Sequence, residues 1–184
     1  DSQYEGRDLI EVLFLKQRRL MDLYEMPDEL DLDVPRDQQV LRTLAWCTTE
    51  ECAEALSTKD YQHIVDEIAD ATHFFIELLI LSNLTAQDFR SFLNEDEKED
   101  LENPAPNIRF ADFVKDLALA MNVLKNRFWR QTNLLTDRPL YEDLLKKSVA
   151  SFYIFYRSLN LTTPEMIDGY LRKNKVNLFR ITSK

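Results

Sequence analysis

Residues 50–73 read EECAEALSTKDYQHIVDEIADATH, two acidic turns joined by the short spacer Ser57-Thr58-Lys59. Residues three and four apart share a helix face, so Glu51 stacks with Glu54 and Glu67 with Asp70. Ala53, Leu56, Ile64, Ile68, Ala71 and Phe74 interleave with these acids. That period makes both halves helices and sets part of the acidic group beside an apolar face. Two helices crossing here would gather four carboxylates. Like charges that close repel, and burial adds to the cost, unless a cation lies between them. Mg²⁺ takes a few carboxylates together with substrate phosphates, and is the cation this pattern suggests. The competing reading is a pair of solvated helix faces, which an acidic chain produces without any site.

Outward from this stretch, composition narrows the classes. The 184 residues carry a net charge of −10 and are 45% hydrophobic, which suits one domain spanning 1–184. Such a charge disfavours nucleic acid as a partner, since a long footprint needs clustered Lys and Arg. It does not disfavour a small phosphorylated ligand if a metal inverts the local sign. No apolar run reaches transmembrane length and no signal peptide is read, so no membrane partner is expected. Cys47 and Cys52 share a predicted helix without facing each other, which argues against a disulfide and for a reducing, cytoplasmic setting. Only Gly6 and Gly169 occur in the chain, so a glycine-rich phosphate cradle is absent. Few glycines with many good helix formers make the fold class all-α.

The spacing predicts helices over 7–25, from Arg36 through Trp46 with a break at Thr48-Thr49, and over 60–82, 85–92, 109–130, 140–159 and 163–179. Thr162-Thr163-Pro164-Glu165 is a start signal for the last of these. NEDEKEDLENPAPN, residues 94–107, reads as a mobile, solvated loop. An internal echo links FFIELLILSNLTAQDFRSFL (74–93) with SFYIFYRSLNLTTPEMIDGYL (151–171). Each has an apolar helix, then Asn-Leu-Thr, then a short capped helix. The echo predicts a four-helix-type core of pseudo-duplicated helical pairs with accessory helices.

A carboxylate cluster could instead belong to a di-iron bundle, but that class wants Glu-x-x-His on two helices. His63 and His73 follow Asp60 and Asp70, not glutamates. His63 suits a helix surface; His73, one turn past Asp70, is either a ligand-contacting group or a satisfied core histidine. Near the C-terminus, Tyr170, Lys173, Asn174, Asn177 and Arg180 recur at helical spacing. Cations and amides on one stripe suit phosphate oxygens. A basic last turn complementing the macrodipole explains the cations, but not two asparagines, which are poor helix formers.

With these residues assembled, the chain resembles the all-α nucleoside triphosphate pyrophosphatases, and within them the dimeric dUTPase and phage dCTPase/dUTPase branch. Glu51-Cys-Ala-Glu54 and Glu67-Ile-Ala-Asp70, followed by His73-Phe74, match the group's paired acidic signature. Tyr-x-x-Lys-Asn-x-x-Asn-x-x-Arg matches the branch more specifically, and Gln17-x-x-Leu20 resembles the segment whose glutamine contacts uracil. The resemblance implies that Glu51, Glu54, Glu67 and Asp70 hold two or more Mg²⁺ ions, with Glu51 also activating the attacking water. It implies that Gln17 meets the uracil ring, that His73 is among the substrate-contacting residues, that Lys173, Asn174, Asn177 and Arg180 meet phosphates and sugar with Tyr170 nearby, and that the enzyme is a homodimer.

Two residues depart from that branch. Met21 stands where relatives often have Asn, and Ile181 where they often have Gln. The expected reaction is water attack on the α-phosphorus of a deoxynucleoside triphosphate, dUTP first and dCTP second, giving the monophosphate and pyrophosphate. A house-cleaning pyrophosphatase of other or modified nucleotides, and a non-enzymatic helical binding protein, remain the alternatives.

Overall fold

In the computed structural model, which describes residues 8–96 and 105–183, every regular element among the described residues is an α-helix. They are α1 (Leu9–Leu23), α2 (Pro35–Ser57), α3 (Tyr61–Leu81), α4 (Ala86–Asp96), α5 (Pro106–Val123), α6 (Arg138–Ser158) and α7 (Thr163–Thr182). The class read from the near absence of glycine is therefore borne out.

Helix α3 is the centre, and its sequence says why. Its first half is amphipathic, but from Ile68 onward apolar residues surround the axis. Ile68, Ala71, Phe75, Ile76, Leu78, Leu79 and Leu81 are all buried. A helix apolar on most sides must be covered on most sides, and α2, α7 and α1 cover it. Helices α5 and α6 form the other extensive pair. Phe75 joins the halves, meeting Phe152 of α6 at 5.0 Å and Phe113 of α5 at 5.6 Å between ring centroids, both edge-to-face.

The internal echo is a repeated helix ending. Asn83 and Asn160 both adopt left-handed backbone, at φ 63° and 64°, a conformation asparagine tolerates better than most residues. Each lets the next leucine turn back: Leu84 N–H donates to Leu79 O at 2.9 Å and Leu161 N–H to Tyr156 O at 3.2 Å. Thr85 with Asp88, and Thr162 with Glu165, then cap the following helix reciprocally. The two units also exchange partners, α4 packing on α6 and α7 on α3. That reciprocity is the pseudo-duplication the repeat predicted.

Three boundaries differ from expectation. Thr48 and Thr49 do not break α2. Their hydroxyls donate to Leu44 O and Ala45 O at 2.8 and 2.9 Å and stay inside a continuous helix. Helix α5 ends at Val123 rather than near 130. There Gln38 Oε1 accepts from Asn126 N–H at 2.8 Å, and Arg42 donates to the carbonyls of Leu124 and Asn126. Long-range partners thus take the groups that helical bonds would have used. Of the expected loop at 94–107, the first residues belong to α4 and Pro106 opens α5; residues 97–104 lie outside the described residues.

Candidate active site

The antiparallel contact of α2 with α3 brings the acidic turns together. Carboxylate oxygens of Glu51, Glu54 and Glu67 lie within 4.8 Å of one another. Glu54 is exposed, whereas Glu51 and Glu67 are half-buried. Burial, hydrogen bonding with Glu67 and the charges of Asp70, Glu67 and Glu54 push Glu51 up to about 7. An all-oxygen donor set this close, with Glu51 held back from ionising by its neighbours, fits a hard divalent cation such as Mg²⁺. His63, exposed as expected, reaches Glu67 Oε1 through Nε2 at 2.6 Å.

Asp70 stands apart from that group. Its Oδ2 lies 2.6 Å from Lys173 Nζ, an ion pair between α3 and α7. Burial raises Asp70 above the ordinary carboxylate value, and Lys173 offsets this only in part. Burial would depress Lys173, but the bond to Asp70 and the charges of Asp70, Asp66 and Glu67 lift it instead.

These residues border a cavity of about 650 Å³ whose walls include Gln17, Leu20, Glu51, Asp70, His73, Phe74, Glu77, Lys173, Asn177 and Arg180. Sequence spacing had placed Tyr170, Lys173, Asn174, Asn177 and Arg180 on one stripe. The structure divides them. Lys173, Asn177 and Arg180 line the cavity, whereas Tyr170 and Asn174 are turned inward and are 0% and 1% exposed. Met21, at 1% exposed, packs in the core and is not among the residues lining this cavity.

Behind the wall runs a buried polar chain. Asn174 Nδ2 donates to Tyr170 Oη at 3.5 Å, Tyr170 Oη donates to Gln17 Oε1 at 2.9 Å, and Gln17 Nε2 donates to Glu77 Oε2 at 3.2 Å. The Tyr170 ring stacks on His73 at 4.1 Å. His73 Nδ1–H donates to Ala69 O at 2.8 Å, which leaves Nε2 as an acceptor, buried and without a partner among the described residues. Burial depresses His73 to about 4, so the ring is neutral at pH 7. It is neither a surface group nor a fully satisfied core residue.

Sequence reading passed over Glu77. The signal was present: FFIELLIL, residues 74–81, holds one ionisable side chain in an otherwise apolar run. Glu77 also lies four residues past His73, on the same helix face.

One family model matches the chain over residues 19–184, that of dUTPase. The chain belongs to the all-α dUTPase family. Neither a curated protein nor a solved structure matches it. Family membership supports hydrolysis of dUTP in general, and dUTPases of this family generally use Mg²⁺. The paired acids and the His73-Phe74 step fall within the matched residues, whereas Gln17 lies just before them. Among the described residues, no helix is long and apolar enough to cross a membrane.

Proposed function

We propose that the chain hydrolyses dUTP between the α and β phosphates, giving dUMP and pyrophosphate. The observation that carries this reading is one cavity bounded by Glu51 and Asp70, by Lys173, Asn177 and Arg180, and by Gln17, His73 and Glu77. Acids, cations and a set of amide, imidazole and carboxyl groups suit the triphosphate and the nucleoside of one ligand. Glu51, Glu54 and Glu67, with Asp70 once released by Lys173, would hold Mg²⁺, which when bound neutralises phosphate charge and acidifies a water. Glu51, whose proton affinity is raised to about 7, takes the proton of the water that attacks the α-phosphorus. The α-phosphorus–oxygen bond to the β-phosphate breaks as the new one forms, and Lys173 and Arg180 stabilise the charge on departing pyrophosphate. His73 Nε2 accepts a hydrogen from the sugar or base. Tyr170 and Asn174 act from behind by fixing Gln17.

Activity on dCTP, well below that on dUTP, is the second part of this reading, because cytosine needs the Gln17 amide flipped against the direction that Tyr170 sets. A homodimer completes it. Trp46, Phe128, Trp129 and Leu135 are 63%, 76%, 68% and 90% exposed respectively, large apolar side chains that a second protomer would cover.

Phosphorus NMR of dUTP turnover with Mg²⁺ in ¹⁸O-water tests the reaction. The expected products are pyrophosphate and ¹⁸O-labelled dUMP. Stepwise orthophosphate release, or label in pyrophosphate, overturns the reading. Absence of nucleotide binding and of any Mg²⁺-dependent stabilisation would favour a non-enzymatic helical protein.

A further inference from the structure

We propose that Glu77 is a specificity-determining residue, its carboxylate accepting a hydrogen bond from the N3–H of the uracil ring while Gln17 donates to O4. The proposal rests on the reading of this cavity as a dUTP site. Its first support is location. Glu77 lies seven residues beyond Asp70, roughly 10 Å along α3 at 1.5 Å per residue. That is too far for the two to share one Mg²⁺, so Glu77 is not part of the acidic group at the other end.

Its second support is what surrounds it. Glu77 is half-buried, and its one hydrogen bond among the described residues is the 3.2 Å contact from Gln17 Nε2. No cation among the described residues pairs with it. Burying a carboxylate with so little compensation opposes folding. Glu77 and Met26 also border a second cavity of about 670 Å³. The residue therefore stands at the border of two open spaces, available to a ligand.

The third support is a fixed direction in the Gln17 amide. Tyr170 receives a hydrogen bond from Asn174 and donates its own to Gln17 Oε1 at 2.9 Å, closer than its other acceptor, Leu13 O at 3.4 Å. Ionised Glu77 can only accept, so Nε2 must face it. Gln17 thus presents its remaining N–H as a donor, with an acceptor carboxylate beside it. An adjacent ring carbonyl and ring N–H complement that pair. The buried chain from Asn174 to Glu77 accordingly acts as a polarity relay for base reading.

The test compares dUTP with N3-methyl-dUTP in wild type, Glu77→Leu and Glu77→Gln, using kcat/KM. Sites built around a hydrogen bond reject analogues that lack it by large factors. Wild type should prefer dUTP by at least ~1,000-fold. Glu77→Leu should lose about 100-fold or more on dUTP and little on the methylated substrate, collapsing the ratio. Glu77→Gln, which keeps an acceptor oxygen, should retain part of the preference. Thermal melting should show both variants folded and at least as stable as wild type, because a poorly compensated carboxylate is gone. Equal losses on both substrates would overturn the proposal and make Glu77 a mere support for Gln17. Calorimetric binding of α,β-imido-dUTP and its N3-methyl form separates this from the catalytic reading. If wild type discriminates in binding but never releases pyrophosphate, the reaction is wrong and Glu77 stands. If pyrophosphate is released and discrimination survives Glu77→Leu, Glu77 alone is wrong.

Discussion

Lys173 Nζ sits 2.6 Å from Asp70 Oδ2, so an internal cation from α7 already occupies the edge of the acidic group. The side chains are 31% and 24% exposed, so the pair contributes only about 1 kcal/mol to the fold. Its greater effect is competition. Lys173→Met should strengthen Mg²⁺ binding, read as a lower midpoint in a thermal-shift titration, because Asp70 becomes available. The same variant should lose ~100-fold in kcat/KM, since a charged contact to phosphate is gone. Weaker Mg²⁺ binding in the variant would contradict the competition.

Neighbouring glutamates should behave very differently. Glu50 accepts from Trp46 Nε1 at 2.7 Å on the outer face of α2, whereas Glu51 faces Glu67 and the cavity. Glu51→Gln is expected to lower kcat by at least ~100-fold, the scale of a lost general base. Glu50→Gln should leave kcat within about twofold, surface changes being mild in general. Steady-state rates on dUTP decide, and similar losses from both would refute the assignment.

Glu51 and His73 give metal-free stability pH dependences of opposite sign. Glu51 holds its proton to about 7 in the fold against an ordinary 4.5, so the folded state binds more protons between those values. Its contribution is complete below pH 4.5 and is lost as pH rises through 7. His73 titrates at about 4 against an ordinary 6.5. Its contribution is complete above 6.5 and is lost as pH falls through 4. Urea unfolding from pH 4 to 8 should therefore give a shallow profile for the metal-free wild type. Glu51→Gln should weaken the falling component, to which Asp70 and Glu77, both raised by burial, still contribute, and so tilt the profile toward stability rising with pH. Saturating Mg²⁺ should act in the same sense. Superimposable profiles for wild type and Glu51→Gln would show that Glu51 is not protonated in the fold.

Gly169 is where α7 touches α3. A Cβ built there meets Val65 Cγ1 at 2.9 Å and Val65 O at 3.4 Å. Gly169→Ala gains up to ~1 kcal/mol of helix propensity, but overpacking costs ~1–3 kcal/mol. A net loss of about 1 kcal/mol in chemical denaturation is expected. Because Lys173, Asn177 and Arg180 lie on the displaced helix, kcat/KM should fall more than stability alone implies. A more stable and fully active variant would mean the helices can part without consequence.

Much of this molecule was legible because short-range rules govern it. The acid pairs at i, i+3 defined two helices and the face they share, and Asn-Leu-Thr announced two helix endings that the backbone realises almost identically. Other features depended on partners distant in the chain. Helix α5 stops where Arg42 and Gln38 capture the peptide groups around Asn126, and nothing local to 109–130 announces that. The division of Tyr170 and Asn174 from Lys173 and Asn177 likewise follows from how α7 is rotated against α3. A difference of one residue in helical phase decides whether an amide meets a ligand or the core. Glu77 was the reverse case. Its charge in an apolar run was visible, but its meaning required Gln17, which is 60 positions earlier.

The join between α1 and α7 bears on when the protein becomes competent during its own synthesis. Gln17 and Tyr170 are bonded across 153 positions of sequence. The acidic hairpin of α2 and α3, by contrast, is contiguous and can close as soon as it leaves the ribosome. A nascent chain therefore displays its carboxylates long before Lys173 and Arg180 exist to meet a triphosphate. Until α7 docks, Gln17 lacks the Tyr170 hydroxyl that sets its polarity. On the proposed reading, translation would withhold nucleotide recognition until the final helix has been made.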